Sequence, residues 1–262
     1  MNTNLIFSLG ASSLVIAALT GALTACDSTR ETGGAAVTNP AIEGAAIASN
    51  STGATAFFVH AHQDDWQLFM GPYAVGDIEG GAKVVFVYTT AGVPESGVYG
   101  SARERAARES VFVLAPGFTE TCASTTVATH SIWRCSYGNT VSYFLRLPNA
   151  TPYSGCADAT AGCLEELRDS GQPLSAIDGS TTYATWADFA GTLGSIISVE
   201  SVGATTVAVN APDPNRTLNP ADHEDHYATG DAIASIAGSS PWSPVWFAGY
   251  ETMKWKNNHS FD

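Results

Sequence analysis

Positive charge is scarce in this chain. Lysine and arginine number 11 against 25 aspartates and glutamates, a formal net charge of −14 at pH 7. That balance argues against nucleic acid or an anionic lipid surface as a partner, because both are bound through clustered cations. The opening Met1-Asn-Thr-Asn holds no Lys or Arg, and Leu5 to Ala25 holds no charge of either sign. Cysteines are few, and none has Cys-x-x-Cys spacing, which sets aside a zinc ribbon. No internal repeat is evident. What is present is a composition of 45% hydrophobic and 14% charged residues, which suits a globular core rather than a disordered chain.

The uncharged run from Leu5 to Ala25 ends in Leu23-Thr24-Ala25-Cys26. It reads as a secretory hydrophobic segment closed by a bacterial lipobox, so residues 1–26 are expected to be a lipoprotein signal peptide with Cys26 lipidated. The missing basic start departs from that pattern, and an uncleaved membrane anchor is the alternative, since about 20 apolar residues can span a bilayer. Residues 27–53 are rich in Gly, Ala, Ser, Thr and Asn without hydrophobic periodicity. They read as a flexible tether. Residues 54–262 suit one α/β domain. The expected location is the bacterial cell envelope, exported and attached to the membrane through the N-terminal lipid.

Cys122, Cys135, Cys156 and Cys163 remain. An even number in an exported protein suggests disulfides, and short loops favour Cys122–Cys135 and Cys156–Cys163 among the three pairings. Each would contribute roughly 2.5–3 kcal/mol in the chain-entropy model. Both pairs read as staples of long surface loops near the site.

The stretch from Thr55 to His60 is an apolar, aromatic-rich run that predicts a buried strand, and it leads into Ala61-His62-Gln63-Asp64-Asp65. The carboxyl end of a strand in an open α/β sheet is where binding groups gather. His-x-Asp-Asp offers a nitrogen and an oxygen to a divalent metal, with a second carboxylate left for proton transfer. The plainer reading is that Asp64 or Asp65 caps a helix beginning at Trp66. A second cluster, Asn219-Pro-Ala-Asp-His223-Glu-Asp225-His226, stands ahead of an expected helix from Tyr227, with His223 and His226 on one face of its first turn. Two such clusters, each just past a hydrophobic strand, point to a shared metal site.

Further strands are expected at Lys83–Thr90, Val141–Leu147, Thr205–Asn210 and Val245–Tyr250, with helices at Ser101–Ala115 and Tyr183–Val199. Strands alternating with helical patterns imply βαβ units and a mainly parallel sheet. His60 reads as a core or supporting histidine, and His130 and His259 fall in no pattern. Asp213-Pro-Asn215-Arg-Thr217 with Glu224 faintly mimics a calcium loop, but Leu218 stands where the glycine is required.

His62-Gln63-Asp64-Asp65 followed by Leu68-Phe69-Met70, with His223-Glu224-Asp225-His226 far downstream, resembles the PIG-L/LmbE-type zinc-dependent N-deacetylases. Tyr99, Arg103-Glu104, Tyr143 to Pro148 and Gly230 join the resemblance, which spans about residues 55 to 250. It implies a Rossmann-like three-layer α/β fold and a Zn2+ ion on His62, Asp65 and His226. It also implies Asp64 as general base, His223 beside the oxyanion and Asp225 holding His223 in a protonated, useful tautomer. Arg103 matches a position near the substrate, though a solvated helix residue is an equal reading. Trp66 stands where the family has a polar residue, and either stacks on a sugar ring or packs under the metal site. The implied substrate is an N-acetylated amino sugar or glycoconjugate. A catalytically silent glycan-binding protein and another metal-dependent amidase or esterase are the rival readings.

Overall fold

The computed structural model describes residues 52–92, 98–152 and 155–255, with Val98 and Tyr99 described by their backbone. The expected signal peptide, Cys26, most of the tether, the Tyr99 side chain and His259 lie outside these residues.

A seven-stranded mixed sheet carries the domain. Its strands are β1 (Ala54–His60), β2 (Lys83–Thr90), β3 (Thr121–Val127), β4 (His130–Tyr137), β5 (Thr140–Leu147), β8 (Thr206–Pro212) and β9 (Pro244–Phe247), in the order β3-β4-β5-β2-β1-β8-β9. The run β5-β2-β1-β8-β9 is parallel, whereas β3 and β4 turn back antiparallel onto β5. A short antiparallel pair, β6 (Leu174–Ser175) and β7 (Thr182–Tyr183), lies apart from it. Helices α1 (Gly71–Glu79), α2 (Val98–Leu114), α3 (Leu164–Asp169), α4 (Trp186–Glu200) and α5 (Glu224–Ala237) flank the sheet.

The continuous apolar runs are explained by burial on both faces. Phe57 and Val59 of β1 join Val85, Val87 and the apolar residues of α3, α4 and α5 in one cluster. Ala56 and Phe58 join Val84, Phe86, α1 and α2 in the other. Successive strand residues point to opposite faces, so alternate side chains of one strand feed separate cores.

Several boundaries differ from the sequence expectation. The helix expected from Ser101 begins at Val98. The helix α4 starts at Trp186, where the Thr185 side chain accepts from the Asp188 N–H and Thr182–Tyr183 have already been taken by β7. The last strand ends at Phe247, and Tyr250 opens a 3-10 turn instead.

The largest departure concerns the stretch between the motifs. Its Ser/Thr-rich segment reads as loop, yet Thr121–Val127 pairs along its whole length with β4. Cys122–Cys135 and Cys156–Cys163 are both joined, as the short-loop pairing expects. Cys122 and Cys135 are directly opposed on β3 and β4, however, so that bridge ties a hairpin rather than a loop. Cys156–Cys163 does close a loop, the one between β5 and α3. Two disulfides suit an oxidising compartment. Among the described residues no helix is long and apolar enough to cross a membrane.

Candidate metal centre

Because β1 and β8 are parallel neighbours, with Phe58 opposite Asn210, the segments leaving their carboxyl ends start from the same edge of the sheet. One segment carries His62 to Asp65; the other runs through residues 213–223 into α5. Gly230 lets that helix approach closely, since a Cβ there would overlap the Pro212 carbonyl oxygen. The first segment is pinned from β2: the Thr90 hydroxyl donates to the Ala61 carbonyl (3.1 Å), and the Gln63 amide donates to the Thr90 carbonyl (2.8 Å).

His62, Asp65 and His226 meet there, all buried. His62 Nδ1 lies 3.2 Å from His226 Nε2 and 3.5 Å from Asp65 Oδ1, and His226 Nε2 lies 3.2 Å from the same oxygen. The other Asp65 oxygen accepts from the N–H groups of Ala61 (3.0 Å) and His62 (2.7 Å). Asp65 therefore makes no side-chain capping bond to the turn at Trp66–Met70, and the plainer helix-cap reading gives way to a carboxylate turned inward. That turn is a single π-helical stretch, a geometry frequent at functional sites.

The outer nitrogens of both imidazoles are occupied. His62 Nε2 faces Asp225 Oδ2 at 3.1 Å, and His226 Nδ1 faces Asp222 Oδ1 at 2.7 Å. Ionised carboxylates only accept, so each imidazole donates outward and turns its lone pair inward. Three lone-pair atoms then converge within 3.5 Å with no donor between them. Such an arrangement needs a cation, whether protons or a metal ion. Two imidazole nitrogens with one carboxylate oxygen are a donor set that suits zinc, and three protein donors match a catalytic site with an open position.

The titration directions express the same demand. Burial opposes a charged His62, but the Asp65 and Asp225 carboxylates overcome it and raise the imidazole to about 9. Burial likewise opposes a charged His226, and Asp65 and Asp222 raise it to about 10. Asp65 is buried too, yet His226 and His62 hold its carboxyl well below the usual range.

Asp225 departs from its expected role. Its carboxylate is turned to His62 and to the Ala150 N–H, which reaches both oxygens at 3.1 Å. The Asp225 oxygen stands 3.6 Å from His223 Nδ1, and it is the backbone N–H of Asp225 that donates to that nitrogen (3.1 Å). His223 thus caps α5 with its imidazole, and the helix begins at Glu224 rather than Tyr227. Burial, then the neighbouring His62, pull His223 down to about 4, so it is neutral rather than protonated, with Nδ1 accepting and Nε2 carrying the hydrogen.

Asp64, whose side chain is 60% exposed, accepts from Arg103 Nη2 at 2.8 Å. This brings Arg103 of α2 to the carboxylate expected to act as base. Trp66 is 3% exposed; its ring packs on Phe86 and its indole N–H donates to the Tyr88 hydroxyl (3.2 Å). Of its two expected roles, packing in the core is the one it occupies, and no ring face is left for a sugar.

His60 is fully buried, donates from Nδ1 to the His62 carbonyl (2.8 Å) and packs edge-on to Tyr88. Burial pulls it to about 4, and it supports the turn. His130 lies elsewhere, held by Thr181 and Asp188 and stacked on Tyr183. The faint calcium loop does not form, because Arg216 occupies both Glu224 oxygens at 2.7–2.8 Å.

Sequence reasoning passed over Asp222, Tyr250 and Phe69. Tyr250 stacks on His226 with ring centres 5.6 Å apart and planes 10° from parallel, and Phe69 meets the same imidazole edge-on at 5.7 Å. Asp222 is an acid four residues before a histidine at a helix start, and that spacing was the available signal. No protein-family model, curated protein or solved structure shows significant similarity to the chain.

Proposed function

We propose that this is a zinc-dependent hydrolase that removes an acetyl group from an N-acetylated amino sugar or glycoconjugate, exported and lipid-anchored through Cys26. The observation that carries the metal reading is the convergence of His62 Nδ1, Asp65 Oδ1 and His226 Nε2, each turned inward by a partner on its far side. The substrate class and the Rossmann-like three-layer assignment rest on the resemblance to the PIG-L/LmbE deacetylases.

His62, Asp65 and His226 would hold the ion, which when bound would supply Lewis acidity and lower the pKa of a water to about 7. The remaining steps belong to side chains. Asp64 takes a proton from the attacking water, oriented by the Arg103 guanidinium on one of its oxygens. The His223 Nε2–H donates to the oxyanion as the acetamide carbonyl becomes tetrahedral. His223 is held neutral and its other nitrogen is committed to the helix cap. It is therefore a weak acid, and Asp64 returns its proton to the leaving amine.

The test is zinc analysis of the purified protein beside acetate release from N-acetylglucosamine conjugates, simple esters and acetylated peptides. One zinc per chain with release from the amino sugars is expected. Turnover of esters alone would move the reading to an esterase, glycan binding without turnover would make it a silent binder, and a protein without metal would remove it.

A further inference from the structure

We propose that Asp222, outside the His62, Asp65 and His226 set, is the positioning residue of His226, and that Gly249 is required because of it. The inference rests on the metal reading above, not on the identity of the substrate.

The Asp222 carboxylate is saturated. Oδ1 accepts from His226 Nδ1 (2.7 Å), the His223 N–H (2.9 Å) and the Tyr250 N–H (3.3 Å), and Oδ2 accepts from the Asn219 amide (2.5 Å). Its side chain has no exposure to solvent. A buried carboxylate that only accepts holds the hydrogen of His226 on Nδ1. The lone pair is then on Nε2, the atom that faces Asp65 and His62. Without Asp222 the single hydrogen of a neutral His226 is free to sit on Nε2, where it would hydrogen-bond Asp65 and block the metal position. Tyr250 and Phe69 fix the ring plane, but neither sets which nitrogen carries the hydrogen.

The strap that brings Tyr250 over the imidazole also brings its N–H to Asp222, and it passes the carboxylate at Gly249. A Cβ on Gly249 would overlap both Asp222 oxygens and the carbon between them. A side chain there pushes against Asp222 without replacing any donor of the metal site. His62 already has Asp225 in the equivalent post, so each imidazole has its own carboxylate, both drawn from one short stretch of chain.

The experiment compares the full chain with its Asp222→Asn and Gly249→Ala variants. Zinc affinity is read by competition with a chromophoric chelator, the cobalt-substituted protein by its visible d–d bands, and the fold by thermal melting of the metal-free form. Both variants are expected to lose about 10- to 100-fold in zinc affinity and to change the cobalt bands, the usual cost of removing a partner of a ligating histidine. If Asp222→Asn lowers the metal-free melting temperature but leaves zinc affinity and the cobalt bands at wild-type values, Asp222 only braces the start of α5 and the proposal fails. If Asp222→Asn does not fold, Gly249→Ala decides: wild-type affinity there refutes it. Wild-type protein that binds neither metal would remove the site reading and this proposal together. An inactive protein with tight zinc would remove the deacetylase reading and leave this one standing.

Discussion

Raising the pH should destabilise the metal-free protein and leave the zinc-loaded protein nearly unaffected. His62 and His226 are raised in the folded state, from the ordinary 6.5 to about 9 and about 10. A raised group contributes stability that is fully present below 6.5 and is lost as pH climbs through its folded value. One proton held at about 9 instead of 6.5 is worth on the order of 3 kcal/mol. The two inward nitrogens are 3.2 Å apart, so a single shared proton is the conservative case. For a domain of about 210 residues, 1 kcal/mol moves Tm by about 2–4 °C, which makes the expected fall roughly 10 °C between pH 6.5 and 9.5. Zinc at 100 times its Kd adds about 2.7 kcal/mol and takes the place of the proton. His60 and His223 are pulled down to about 4, so their effect is confined to the acid side, below 6.5. The assay is calorimetry at both pH values, in chelator and in zinc. A chelated protein whose Tm is flat across that window, or zinc that adds nothing at pH 9.5, would refute the idea that the three converging lone pairs demand a cation.

Asp64→Asn should keep zinc and lose turnover by about 10²- to 10⁴-fold, the usual share of a general base; unchanged kcat measured on a substrate that wild type turns over would remove Asp64 from that role. Replacing Cys156 and Cys163 by serine should cost about 2.5 kcal/mol and also weaken zinc binding, because Ala150, bridged to Cys156, supplies the N–H that holds Asp225 against His62. The same change at Cys122 and Cys135 should cost about 3 kcal/mol in denaturant melts without touching zinc affinity, since that bridge spans β3 and β4. Trp66→Ala should cost about 3–5 kcal/mol of stability as a core cavity, while Trp66→Phe should leave KM unchanged; a raised KM in the milder variant would restore the sugar-stacking role.

β1 and β2 were legible because they are buried on both faces along nearly their whole length, and such strands are written as near-continuous apolar runs. The meeting of His62 with His226 follows once β1 and β8 are parallel neighbours, a pairing that the two terminal clusters suggest but do not fix. β3 was hidden by its polarity: most of Thr121–Val127 faces outward, and threonines that favour a strand also fill loops. The Asp225 misreading had a different origin. Proximity in sequence tied it to His223, whereas the start of α5 spends the His223 imidazole on a backbone N–H and turns the carboxylate across to β1. Asp222 stands one helical turn before His226, a spacing visible in the sequence, but the room that Gly249 leaves for its carboxylate is not written in any motif.

The halves of the metal centre are 164 residues apart in the chain, joined through the β1–β8 pairing. A growing or partly unfolded polypeptide therefore lacks the full donor set until the middle of the sheet has closed. Loading becomes a mark of completed assembly: zinc would reward the finished molecule and ignore its precursors, and a cell that supplies the ion late loses nothing by the delay.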